Sequence, residues 1–362
     1  MFPDRHLAIA SAFLEPGLAF YSFGRYALCE ALRRAGVGPE GAVLLPTLHC
    51  RAIVEPVLHL RAEARFYPVT PDLRPDMDAL ELCAEQGGVR AMVLTHYFGF
   101  ANALDEAQDF CARHGIALIE DCAHAFYGEH RGKPLGTFGS YAAASAWKFF
   151  PVRDGAVFRD NVGGPPVQLG CRPMIAELKG GLALLERTLQ RAKSSRQPLP
   201  ALDGPELAAR AARLVGAGDG EAGDPVFLPQ FAADAGARLS RALTAHAAHG
   251  RIIESRRKNY LRWLEAAIGL PGAVPLFTSL PDGVVPYAFP LLGDSDGRLF
   301  HALKLAGVPL WRWEDMAVTD CQVAAQYRMR LAQLPCHQSL SADEMGWMLT
   351  VLKSVLSTYR PD

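Results

Sequence analysis

The stretch "RAMVLTHYFGFANALDEAQDFCARHGIALIED", residues 90–121, decides the fold. An apolar run over Ala91–Leu94 stops at Thr95-His96. A helix-like segment follows over Ala103–Gly115, with apolar residues recurring at three- and four-residue steps and a glycine at its end. A second apolar run, Ala117–Ile119, then delivers Glu120-Asp121. Strand, helix, strand at this spacing is a βαβ unit, which requires a parallel pair of strands.

The same rhythm extends upstream. "RYALCEALRRAG" (25–36), "GAVLLP" (41–46), "RAIVEPVLHL" (51–60), "ARFYPV" (64–69) and "DMDALELCAEQ" (76–86) alternate helix-like and strand-like text. The reading is an α/β protein with a doubly wound, mainly parallel sheet. In such sheets ligands lie beyond the carboxyl ends of the strands. Chemistry is therefore expected at Pro46-Thr47, Thr95-His96 and Glu120-Asp121.

Composition narrows the function. The chain has 362 residues, 50% hydrophobic and 21% charged, with 37 Lys plus Arg against 38 Asp plus Glu. No global basic field exists to recruit nucleic acid or an anionic membrane, so a small-molecule substrate is expected. None of the eight cysteines forms a Cys-x-x-Cys pair, and they read as reduced thiols. The apolar stretch near the start is too short to span a bilayer, and a cytoplasmic enzyme is expected.

Further along, residues 174–195 read as helical, and 196–229 as a Pro/Gly/Ala-rich connection holding "PELAARAARLV" (205–215). One long helix is expected over about 235–267, with a break near His249-Gly250, before a second α/β segment from "AVPLFTSL" (273–280). Gly218, Gly220 and Gly223 satisfy G-x-G-x-x-G, but no strand precedes them and Asp224-Pro225 follows. That pattern is read as a surface loop.

The chemistry-bearing text is "SAWKFFPVRDGAVF" (145–158) together with "ALIEDCAHAFYG" (117–128). An apolar, aromatic setting disfavours an ammonium and leaves an amine able to attack an aldehyde, which is what a Schiff-base lysine needs. Lys148 is that candidate; the bland reading is a surface lysine with a buried stem. Asp121, at a strand's carboxyl end, can pair with a pyridinium nitrogen, and His124 can pack on the ring; the bland readings are a helix cap and a core histidine.

Taken in order, "SFGRYAL" (22–28), "PEGAVLLP" (39–46), "LIEDCAHAFYG" (118–128), "GKPLGTFGS" (132–140) and "KFFPVRDGA" (148–156) resemble the DegT/StrS-type sugar aminotransferases, fold-type I enzymes dependent on pyridoxal phosphate. Asp154 and Gly155 follow Lys148 in the family's register. The likeness continues in "RRKNYLRWL" (256–264), "VVPYAFPLL" (284–292), "LAGVPLWRW" (305–313) and "LPCHQSLSADE" (334–344).

The resemblance implies a large domain, 1–248, on a seven-stranded type of sheet with a variable region at 165–229, and a smaller α/β domain, 249–362. It implies pyridoxal 5'-phosphate as cofactor, Lys148 as the lysine that carries it, Asp121 at the pyridinium and His124 at the ring. Gly24, Arg25 and Tyr26 are implied at the phosphate, at the start of a helix, where unpaired amides and the dipole favour an anion. His49 or Cys50 falls where the family places an aromatic on the ring, and of the two His49 can stack; Arg312 and His337 are candidates for the acceptor. An amino donor (glutamate), a keto-sugar acceptor, commonly nucleotide-linked, and a homodimer complete what it implies.

Four positions depart from the family pattern. Ala143 stands in place of a phosphate-binding Ser, with Ser145 two residues further on; Ser140 and Ala156 replace an Asp and a Gly; and "GARLSRAL" (236–243) lacks the Asn that a partner subunit normally contributes. Either the strand is bulged so that Ser145 reaches the phosphate, or other groups hold the anion. Two rival readings stay open: another cofactor-dependent reaction on a sugar-like substrate, and a non-catalytic regulator of the same fold.

Overall fold

The computed structural model describes residues 10–171, 177, 181, 210–211, 227–293, 297–313, 316–317 and 319–358. Seven strands form one sheet: β1 (Ala19–Tyr21), β2 (Ala42–Pro46), β3 (Glu63–Tyr67), β4 (Val89–Thr95), β5 (Ala117–Cys122), β8 (Tyr141–Ser145) and β9 (Ala156–Asp160). Their spatial order is β1-β9-β8-β5-β4-β2-β3, and β8, β5, β4, β2 and β3 run parallel. The small hairpin β6 (Glu129–His130) and β7 (Lys133–Pro134) lies in the connection between β5 and β8.

The central strands read as unbroken apolar runs because both faces of the sheet are covered. Alternate residues serve opposite sides. Met92 and Leu94 of β4 join one core cluster, whereas Ala91 and Val93 join the other. Helix α1 (Gly24–Arg34) and helix α2 (Arg51–His59) pack on the second face through Tyr26, Leu28, Ala31, Leu32, Ile53 and Val57. The first face receives α3 (Met77–Glu85), α4 (Leu104–His114) and the C-terminal elements.

The long helix expected over 235–267 is two helices, α5 (Arg238–Ala245) and α6 (His249–Ala267). At the break, His249 Nε2 donates to the Ala245 carbonyl (3.3 Å) and its Nδ1 accepts from the Tyr127 hydroxyl (2.7 Å). One imidazole thus fixes the corner. Beyond it, β10 (Val274–Pro275), β11 (Ala288–Leu292) and β12 (Leu331–Pro335) form an antiparallel sheet flanked by α6, α7 (Arg298–Leu305), α8 (Gln322–Arg330) and α9 (Ala342–Thr358). The G-x-G-x-x-G stretch at 218–223, and all but single positions of the helices expected at 174–195 and 205–215, lie outside the described residues. Among the described residues no helix is long and apolar enough to cross a membrane.

Candidate active site

A cavity of about 260 Å³ opens beyond the carboxyl ends of β2, β4, β5 and β8. Its wall brings together Gly24 and Arg25 at the start of α1, His49 and Cys50 after β2, Thr95, Asp121, His124, Ser145 and Lys148. Segments scattered over more than a hundred residues meet because parallel strands all end on one edge. Trp147, 45% exposed, and Trp313 stand at the cavity as large aromatic faces.

Strand β5 explains why Asp121 and not Glu120 faces the cavity. Successive side chains on a strand point to opposite faces. Asp121 Oδ2 accepts from Thr95 Oγ1 (3.2 Å) and Oδ1 from the Ala123 amide (3.0 Å), so the carboxylate is held rigidly. Glu120 is fully buried on the other side, accepting from the amides of Gly136, Phe138 and Gly139 and from His96 Nε2. Burial alone would raise its carboxyl pKa; the His96 hydrogen bond and the amides outweigh that and hold it below the usual range. With its oxygens so occupied, the His96–Glu120–Cys122 group is a structural clamp on the turn before β8.

Lys148 ends a 3₁₀ turn, Ala146–Lys148, that leaves β8. Its Nζ lies 5.5 Å from the centre of the Tyr287 ring. The turn is shaped by Gly155, whose φ of +121° suits glycine and where a Cβ would sit 2.6 Å from Phe20 Cζ. Asp154 then anchors the lysine loop to α5, accepting from Ser240 Oγ (2.6 Å) and the Ala237 amide (3.1 Å).

His124 stacks on Tyr287 (4.3 Å between centroids, 17°), and its Nδ1 accepts from the Phe98 amide at 3.4 Å. Burial, with the Lys148 charge in second place, pushes its pKa well down, so the ring is neutral with the proton on Nε2. His49 is also neutral, its pKa lowered by burial. Nδ1 donates toward the Thr47 and Pro46 carbonyls (2.9 and 3.1 Å), and Nε2 accepts from the Ala317 amide (3.0 Å) while the ring stacks on Phe66 (4.9 Å). The cavity wall is thereby tied to the C-terminal elements.

Ser145 reaches the start of α1 without a bulge. The β8–β9 register is regular from Tyr141↔Asp160 to Ser145↔Ala156, so Ala143 and Ser145, two apart, share a face. A Cβ on Gly24 would stand 2.6 Å from Ser145 Oγ. Glycine there leaves a cradle between a helix start without a side-chain cap and a hydroxyl. Such a cradle suits an anion; Asp121 suits a protonated ring nitrogen, and Lys148 an aldehyde. The donor set therefore fits pyridoxal phosphate.

Three residues singled out in the sequence stand apart from the cavity. Tyr26 closes the first turn of α1, its amide donating to the Phe23 carbonyl (3.1 Å), and its ring packs edge-on against Phe227 (5.1 Å). Arg312 lays its guanidinium 4.5 Å over the Phe300 ring, and His337 Nδ1 pairs with Ser339 Oγ (2.7 Å). Conversely, Thr95, Cys50, Trp147 and Trp313 belong to the wall. Thr95 was marked as a strand ending; nothing local in the sequence signalled the role of Tyr287 beneath His124.

Comparison with known proteins agrees with this geometry. Residues 18–158 match the model of the DegT/DnrJ/EryC1/StrS aminotransferase family. An L-glutamine:scyllo-inosose aminotransferase of Streptomyces griseus is 35% identical over 123 residues, 33% of this chain and 28% of that protein. A dTDP-4-dehydro-2,3,6-trideoxy-D-glucose 4-aminotransferase of Saccharopolyspora spinosa is 31% identical over 144 residues, 39% of this chain and 37% of that one. The chain thus spans about a third of the length of these curated relatives. In fold it follows a DegT DnrJ EryC1 StrS aminotransferase from Brucella abortus, with a TM-score of 0.63 at 20% identity over 93% of this chain and 85% of that one. The Helicobacter pylori aminotransferase PseC gives 0.67 at 14% identity over 94% and 86%. The matched residues 18–158 carry Gly24, Asp121, Ser145 and Lys148, so the likeness to the DegT/DnrJ/EryC1/StrS aminotransferase family covers the part of the chain that builds this cavity wall.

Proposed function

We propose that the protein is a pyridoxal-phosphate-dependent aminotransferase that moves an amino group from an amino acid, glutamate or glutamine, to the keto group of a sugar or cyclitol in a biosynthetic pathway. The observation that carries this reading is a single cavity lined by both Lys148 and Asp121, with the start of α1 on its wall. When bound, the cofactor supplies an electron-accepting ring that stabilises negative charge on the donor's α-carbon.

Each residue then has one task. Lys148 Nζ would bind the cofactor's aldehyde and, as a free amine, would hold and move the proton of the donor's α-carbon. Asp121 keeps the ring nitrogen protonated by charge, and its bonds to Thr95 and Ala123 aim it. His124 and His49, both neutral, line the cavity where they would add no charge beside the ring. Gly24, Arg25 and Ser145 hold the phosphate; Tyr26, with its amide engaged, supports the helix instead.

At about 260 Å³ the cavity lies just below the range of about 300–1,000 Å³ usual for ligand pockets. Residues 1–248 supply the chemistry and 249–362 close over it; a cytoplasmic homodimer completes the reading, in line with the family's habit. Mixing the purified chain with pyridoxal phosphate, reducing with borohydride and mapping the modified peptide is the test. Label on Lys148 is expected, and label on another lysine overturns the assignment.

A further inference from the structure

Arg256, in α6, is 1% exposed and lies outside every role assigned above. Its Nη2 donates to the Lys148 carbonyl (3.1 Å), Nη1 to the Pro286 and Tyr287 carbonyls (3.2 and 3.1 Å), and Nε to Gln338 Oε1 (3.0 Å). The guanidinium also lies 4.4 Å over the Phe149 ring. All of these acceptors are neutral oxygens, and burial pushes the guanidinium pKa down to about 10. A buried charge without a carboxylate is costly to keep, and a hydrocarbon of similar size would fill the space at less cost.

We propose that Arg256 is a positioning residue that locks Lys148 and Tyr287 into one geometry. The same planar fork holds the backbone of both, so the lysine amine is set over the face of Tyr287, and Tyr287 in turn supports His124. Gln338 reinforces the lock by donating from Nε2 to the Phe149 carbonyl (2.6 Å), one residue beyond Lys148. Carbonyls 148 and 149 are thus both held by the C-terminal elements, and the reactive amine is aimed by a domain that contributes no reactive group. Lysine in place of Arg256 keeps charge and stem but cannot reach these oxygens together, because an ammonium lacks the fork.

The inference rests on the assignment of Lys148 to the chemistry, and its test separates the two. Arg256→Lys and Arg256→Ala are compared with the unaltered chain, first without cofactor, by cyanate carbamylation and mass-spectrometric mapping. The Lys148 labelling rate, relative to other lysines, is expected to change at least about fivefold in both variants. Guanidinium ion, and not ammonium, should restore it in Arg256→Ala. With pyridoxal phosphate added, the visible circular-dichroism band should shrink in both. Unchanged labelling and dichroism in folded Arg256→Lys overturn the proposal. Should Arg256→Ala unfold, Gln338→Leu takes its place, with a smaller change in the same direction expected; no change there counts against the lock. Failure of pyridoxal phosphate to attach to the unaltered chain would strike the cofactor reading, and the labelling arm would still decide the lock.

Discussion

The two halves of the molecule meet the cavity in different ways. Residues 18–158 bring side chains with reactive or charged ends, Asp121, Lys148 and Arg25, each standing at a strand end or helix start. The C-terminal half brings main-chain groups and rings: the Ala317 amide on His49, the Tyr287 face under Lys148 Nζ, and Trp313 in the wall. On the proposed reading, one half supplies chemistry and the other supplies aim. The family model matches within the first half, where reactive groups restrict residue type, whereas a backbone amide comes with almost any residue.

If that division holds, substitutions on the two sides fail differently. The largest effect is expected for Lys148→Ala, which should reduce the half-reaction with glutamate by about 10²–10⁴-fold through loss of the proton carrier; single-turnover absorbance measures it. Next comes Asp121→Asn, with the carboxylate's charge gone and its shape kept. A drop of roughly 10²–10³ in the chemical step is expected, with cofactor binding changed much less. A near-normal rate would demote Asp121 to a turn-forming residue that merely accepts from Ala123.

The phosphate cradle should show smaller effects, in binding. Arg25→Ala removes a charge-assisted contact of about 1.5–3 kcal/mol and Ser145→Ala a neutral one of about 1 kcal/mol, so cofactor titration should rank Arg25 first. Ala143→Ser should tighten binding, since positions 143 and 145 share a face. A loss confined to Ser145→Ala would instead make that hydroxyl the main anchor.

The smallest expected effect tests aim alone. His49 has its pKa lowered in the fold by burial, so it contributes stability that is fully present above about pH 6.5 and is lost as pH falls through the lowered folded value. Protonation would abolish Nε2 as acceptor for Ala317 and uncouple the two halves there. His124 acts in the same direction, with the Lys148 charge beside it. Denaturant unfolding at neutral and mildly acidic pH should show the loss, and His49→Ala should show less of it. An identical pH slope in the variant would mean that the Ala317 contact carries no stability.

The sequence by itself determined the architecture and pointed to Asp121 and Lys148 as the candidate pair. Short unbroken apolar runs alternating with helical stretches point to a parallel sheet, and a parallel sheet gathers strand ends on one edge, which is where Asp121 and Lys148 meet. Even the choice between Glu120 and Asp121 follows from alternation once the strand is placed. Tertiary structure alone decided the rest. Tyr26 stands apart from the cavity, its amide claimed by the first turn of α1, and Ser145 comes to face Gly24 on the unbulged β8, on the same face as Ala143. Arg312 and His337 stand outside the cavity wall, one with its guanidinium over the Phe300 ring and the other paired with Ser339. Arg256 lies more than a hundred residues from Lys148 in the chain, and its acceptors are carbonyl oxygens. Every residue carries a carbonyl, so no pattern in the sequence can mark the ones an arginine will hold; only the packing of the two halves brings them together.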